Sequence, residues 1–196
     1  IEGVNYDMRK HILEYDDVLN KQRQAYYAKR QELLEHHSEK NLLKILSEII
    51  DHQLESVLGG TLGEGVTKES IDDLLKTVGQ WLPELDANLI QTVEKSQNRG
   101  EISHLLKDYL EKKLKEDKIR LGEVWSNAVL NLCLRLRDLL WMDHLVRMND
   151  LPDSTTLRSY GQHEPLVEYK RESYRYWKEL ENNWEAQVIN LLFKMG

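Results

Sequence analysis

Apolar residues recur every three to four positions through most of the chain, and the longest unbroken stretch of this pattern is residues 5–37, NYDMRKHILEYDDVLNKQRQAYYAKRQELLEHH. Met8, Ile12, Tyr15, Leu19, Tyr26 and Leu33 alternate steps of three and four, and polar Gln22 and Lys29 stand at the two vacant steps. A stripe of that period marks an amphipathic helix. With no Gly or Pro to interrupt it, the stretch predicts a single helix roughly 50 Å long, at about 1.5 Å of rise per residue. One compact core needs much less, so the helix reads as a beam along which other elements pack.

The pattern continues in shorter pieces. After His36 and His37, Ser38 can cap a second helix whose apolar positions are Leu42, Ile45, Leu46, Ile49, Ile50, Leu54 and Val57. GGTLGEG at 59–65 then places four glycines in seven residues, which predicts a loop and a domain edge. It is not a phosphate-binding loop, because no Lys-Ser or Lys-Thr pair follows at the spacing that would reach the β and γ phosphates. Thr67 or Ser70 opens a short helix through Leu74, Leu75 and Val78 that ends at Gly79, with Pro83 beyond. Asp86 caps another, and Asn98 with Gly100 closes it.

From Glu101 the helical period resumes and runs to about Asp150, with Leu121, Trp125, Ala128, Leu132, Leu136, Leu139 and His144 beside Leu145 on its apolar face. Gly122 falls inside, at a cost of about 1 kcal/mol that a packed helix tolerates. Pro152, Asp153 and Ser154 should end it, and a loop over 151–165 leads to a last helix faced by Tyr169, Tyr176, Trp177, Leu180, Trp184, Val188 and Leu191. Two amphipathic helices joined this way form an antiparallel hairpin. The expected class is all-α: a long scaffold helix (1–38), a small helical wing-like lobe (39–116), and an antiparallel two-helix hairpin (117–196) packed on the first helix.

Composition narrows the functions. With 40% hydrophobic and 31% charged residues in 196, the chain has material for one or two cored domains. A net charge of −7 and the lack of a basic stripe argue against nucleic acid as a partner. The lone Cys133 rules out an internal disulfide and, inside an apolar run, reads as a buried thiol in a reducing compartment. No apolar run approaches the ~18 residues that span a bilayer, and no signal-peptide pattern opens the chain. It starts at Ile1 rather than Met, as a piece of a longer polypeptide would. The histidines show no i, i+4 pair with zincin spacing, and no Ser-His-Asp arrangement stands out.

Two segments carry a resemblance. NYDMRKHILEYDDVLNKQRQAYYAKR, with EYDDV followed by QR, resembles the long scaffold helix of the SecA family, the ATP-driven motors of bacterial protein secretion. LLWMDHLVRM, LRSYGQHEP and LVEYKRES resemble, in order and spacing, that family's two-helix finger. Residues 39–116 hold the place of the helical wing by order alone. Residues 152–156, Pro-Asp-Ser-Thr-Thr, and Ser159 stand where the family has a glycine-rich approach to the finger tip, which predicts a stiffer approach here.

The resemblance implies specific roles. It matches Tyr160 to the tip tyrosine that touches the translocating polypeptide; a flat ring with a hydroxyl suits a sequence-tolerant grip, while the bland alternative folds the ring back as a plug. It sends Arg158, Tyr160, Gln162 and His163 towards the preprotein and the SecYEG channel, at a tip made locally basic by Lys170, Arg171 and Arg175, which a solvated helix end would also explain. Asp16 and Asp17 point about 100° apart on a helix and do not readily share an ion, so solvated or salt-bridged carboxylates are the plain reading. By resemblance Arg9, Asp16, Asp17 and Arg23 contact motor domains of the same chain. The implied protein is a protein-translocating ATPase using ATP and Mg²⁺, cytoplasmic and peripheral at the inner membrane, able to dimerise; this stretch carries no catalytic residues of its own. The alternatives are a stand-alone helical adaptor and, last, a helical metalloenzyme.

Overall fold

A computed structural model describes residues 2–35, 39–63, 65–158 and 165–195, leaving out the side chains of 2–12, 39–40 and 156–158. Its regular elements are all helical: α1 Glu2–Glu35, α2 Glu39–Leu62, α3 Lys68–Gly79, α4 Ala87–Lys95, α5 Arg99–Arg158 and α6 Pro165–Leu192. The all-α class expected from the apolar period is what the chain adopts. Two compact units form, one from Ile1–Glu35 with Leu134–Trp184 and the other from His36–Cys133 with Glu185–Gly196. The expected cap at Ser38 lies outside the described residues.

The second unit is built on α2. Its stripe of Leu46, Ile50, Leu54 and Leu58 is fully buried and continues to Leu62, so the helix runs through Gly59 and Gly60 rather than opening into a loop there. Each glycine costs a helix about 1 kcal/mol, while burying one leucine side chain returns about 2, and Leu58 and Leu62 together outweigh the pair. The chain turns at Gly63 to Gly65, where Gly65 has a positive φ of 133°. Thr67 and Ser70 then form a reciprocal capping box for α3, and the Asp86 carboxylate accepts from the Asn88 amide at the start of α4. Asn98 and Gly100 do not close α4, which ends at Lys95. Asn98 instead opens α5, its side-chain oxygen accepting from the amides of Gly100 and Glu101 at 2.8 and 3.3 Å.

Gly122 breaks the helix rather than being absorbed in it. It takes φ 57° and ψ −137°, so α5 is two helical stretches joined at a kink. That backbone region is nearly closed to residues with a Cβ. Ile119 and Val124 on either side are 83% and 75% exposed, so little burial there holds the axis straight.

In the first unit three long helices lie side by side. Tyr15 meets Tyr169, Gln22 meets Ser173 and Lys29 meets Glu181, so α1 runs parallel to α6. Arg147 lies over Tyr176, Trp141 against Trp177 and Arg137 on Glu181, so α5 and α6 run antiparallel as a hairpin. The helix does not end at Pro152 but continues to Arg158, and the expected loop is helical over 151–158. Proline inside a helix costs about 3 kcal/mol. Met148, Leu151 and Tyr169, all buried, pack together around it with Tyr15, Val18 and Leu19, and the hydroxyls of Ser154 and Thr155 both bond the Leu151 carbonyl. Burial on one face holds the turn that the local signal would break.

The buried faces differ in phase from the simple apolar count. Along α5 they are Trp125, Val129, Cys133, Arg137, Trp141, His144, Met148, Leu151 and Thr155, whereas Leu121 and Leu139 are exposed. In α6 Leu191 is exposed, and Ile189 and Leu192 are buried in its place. A count of apolar residues places leucines in the core and passes over Arg137, Ser173 and Thr155, whose polar partners make their burial possible.

Gly59 and Gly60 have nothing within 4 Å of where a Cβ would stand. Gly59→Ala and Gly60→Ala should each raise stability by about 0.5–1 kcal/mol. Gly122→Ala, at positive φ, should lower it by about 1–3 kcal/mol. Urea midpoints at constant m-value check both signs.

Candidate functional site

Of the residues singled out in the sequence, Tyr160, Gln162 and His163 lie outside the described residues. Arg158 is the last residue of α5 and Arg9 sits on α1, their side chains likewise outside the description. Asp16, Asp17 and Arg23 are exposed on α1. Asp17 pairs with Lys21 at 2.7 Å, and Arg23 donates to Asn20 at 2.9 Å, so both engage their own helix. Asp16 is felt by Tyr169, whose pKa burial, helped by that charge and Tyr15, pushes up to about 12. The cations near the hairpin end are matched as well: Lys170 faces Glu14 at 4.0 Å, Arg171 faces Glu168, and Arg175 faces Glu172 and Glu179.

The chemistry that the fold does bring together is a set of ties between α1, α5 and α6. It begins at the two polar steps in the α1 stripe. The Gln22 amide donates to the Ser173 carbonyl at 2.9 Å, and its oxygen lies 2.8 Å from Nε2 of His144. His144 and Ser173 are each 1% exposed, and the imidazole stacks on Trp141 and meets Trp177 edge-on. Burial first, then the positive charge of Arg147, lowers the His144 pKa to about 4, with Asp143 opposing.

Further along, Tyr26 stacks on Trp141 at 4.5 Å and donates its hydroxyl to Asp138, which also accepts from Arg30 at 3.0 Å. Burial works to raise the Asp138 pKa, but these bonds and the charges of Arg30 and Arg137 outweigh it and hold the carboxyl below its ordinary value. Lys29, the second polar step, bonds Glu181. Glu181 also takes a 2.7 Å bond from Arg137, whose guanidinium is fully buried and lies over Trp184. A buried cation needs such a partner, and removing it leaves an uncompensated charge.

The apolar period by itself does not point to Arg137, Asp138 or Glu181. The signal that could have found them was the interruption itself: polar residues at two steps of an otherwise apolar stripe demand polar partners on whatever packs there. Among the described residues, no three His, Cys, Asp or Glu side chains gather as a metal site. Among the described residues, no helix is long and apolar enough to cross a membrane. The arrangement is a bonded joint between three helices.

The joint titrates. His144 takes up a proton near pH 6.5 when unfolded and near 4 when folded, so the unfolded chain binds more protons between those values. Stability is full above pH 6.5 and should fall by about 3 kcal/mol as pH drops through that window. Asp138, held below its ordinary value, keeps its contribution through that window and loses it only at lower pH. Urea unfolding across pH 7 to 4 should show the decline, and His144→Gln should flatten it.

The comparisons with known proteins agree with the geometry. The family model described as "SecA Wing and Scaffold domain" matches residues 1–196. The protein translocase subunit SecA of Chloroflexus aggregans is 36% identical over 191 residues, covering 96% of this chain and 19% of the relative. Those of Koribacter versatilis and Halothermothrix orenii are 33% and 31% identical, covering all of this chain and 20% and 23% of theirs. The chain thus spans about a fifth of the length of the curated relatives it matches. From first residue to last the chain belongs to the SecA family, in the part described as its wing and scaffold.

Proposed function

We propose that this chain works as the coupling part of an ATP-driven protein translocase, passing movement of nucleotide-binding regions to a preprotein in the SecYEG channel. Its relatives are named as translocase subunits and match it over nearly its whole length. The observation that carries the reading is the bonded joint. Because α1 is tied to α5 and α6 through Gln22, Tyr26, Lys29 and Arg30, displacing α1 displaces the hairpin with it. The exposed Asp16, Asp17 and Arg23, with Arg9 on the same helix, serve as contacts for the motor domains. Arg158, Tyr160, Gln162 and His163 serve at the hairpin tip as contacts for polypeptide and channel. ATP and Mg²⁺ act outside these residues, and the work is done at the cytoplasmic face of the membrane. A stand-alone adaptor draws no support from relatives that are translocase subunits.

Tyr160→Ala in a whole translocase carrying this chain should slow preprotein transport several-fold while leaving thermal unfolding unchanged. A photo-crosslinker at position 160 should capture a stalled secretory chain. Transport at the original rate, with no crosslink, would remove the tip from the mechanism.

A further inference from the structure

The α1 stripe does not by itself choose one position along the hairpin. A slide of one turn, about 5.4 Å, would bring Val18, Leu19, Ala25 or Tyr26 to the place of Gln22, and most steps of the stripe would still set an apolar residue against the hairpin. Packed helices do move by such one-turn steps when nothing forbids it. What changes is the fate of two buried polar groups. His144 Nε2 and the Ser173 carbonyl are both met by the one side chain of Gln22; of the four incoming side chains Val18, Leu19 and Ala25 have no polar atom, and Tyr26 offers one hydroxyl at the end of a rigid ring in place of the amide's separate donor and acceptor. Leaving such groups unpaired away from water costs about 1–3 kcal/mol each.

The other bonds from α1 to the hairpin are less selective. Lys29 is 50% exposed and its partner Glu181, at 12%, keeps its bond from Arg137 if Lys29 leaves; Asp138, which takes the Tyr26 hydroxyl and Arg30, is 42% exposed and Arg30 34%, so those charges return to water if parted. Gln22 differs because both of its partners are buried.

The geometry also sets the proton. A carbonyl only accepts, so the end of the Gln22 amide facing Ser173 is its NH₂ and the end facing His144 is its oxygen. Nε2 of His144 therefore carries hydrogen and donates, and Nδ1 is the bare nitrogen. One backbone carbonyl on α6 thus fixes an amide on α1 and, through it, the tautomer of a ring on α5.

We propose that Gln22 is a register pin, holding α1 in a single axial position against α5 and α6 by bonding His144 and Ser173 together. The inference stands on the packing of this unit alone and does not depend on the translocation reading.

Two measurements test it. In the ¹⁵N-histidine-labelled chain, with His144 assigned by its loss in His144→Gln, the ring should be a pure Nε2–H tautomer whose proton exchanges slowly with water. An Nδ1–H tautomer or a freely exchanging Nε2–H would overturn the proposal, and this reading needs no variant to fold differently. Register is read by cysteine pairs. Glu14 and Lys170 face each other at 4.0 Å, while Val167 and Tyr174, both exposed, lie about one turn to either side. Glu14→Cys with Lys170→Cys should crosslink at least tenfold faster than Glu14→Cys with Val167→Cys or Tyr174→Cys. Adding Gln22→Leu should bring the three rates to within a few-fold of one another. Rates that keep their tenfold spread in Gln22→Leu would show that something else sets the register.

Discussion

A side-chain amide in the seam between helices has to satisfy a donor and an acceptor at once, and Gln22 does so with two different helices. Its bonds to the Ser173 carbonyl and to His144 join residues 151 and 122 positions apart in the chain. Around that point the apolar packing is generous but forgiving: aromatic rings stack, leucines fill space, and none of these contacts insists on one alignment. Hydrogen bonds are directional and costly to leave unmade inside a protein. The three-helix unit therefore takes its strength from burial and its alignment from a few polar atoms.

The same division explains where local rules give way. Pro152 and the pair Gly59 and Gly60 are breakers by intrinsic preference, yet each lies within a helix. Their penalties are a few kcal/mol at most, and the residue just before each, Leu151 and Leu58, is buried. Gly122 meets no such support. Its neighbours Ile119 and Val124 face water, so the conformational freedom of glycine decides the outcome and the helix kinks. One residue type yields opposite structures, and the difference is how much apolar surface the flanking turns bury.

For a protein of the SecA family, a joint of this kind suits transmission better than catalysis. The buried Arg137 held by Glu181, and Asp138 shared between Tyr26 and Arg30, are arrangements that resist relative movement of the helices. A lever has to be stiff along its length, and crossing bonds at successive levels supply that stiffness.

The periodicity of the sequence determined the helical class, the long first helix and the capping of α3 and α4, because these depend on residues within one or two turns of each other. Residue types in the first helix and around the hairpin also carried the family resemblance that the comparisons then showed. The helix ends at 59–62 and 151–158, the break at Gly122 and the true faces of α5 and α6 were decided only in three dimensions. So was the joint itself: Gln22 and Lys29 were visible as polar gaps in a stripe, but His144, Ser173 and Glu181 became their partners only through packing. Local spacing says which way a side chain points along its own helix. It cannot say what stands opposite, because that is chosen by burial and bonding between segments more than a hundred residues apart.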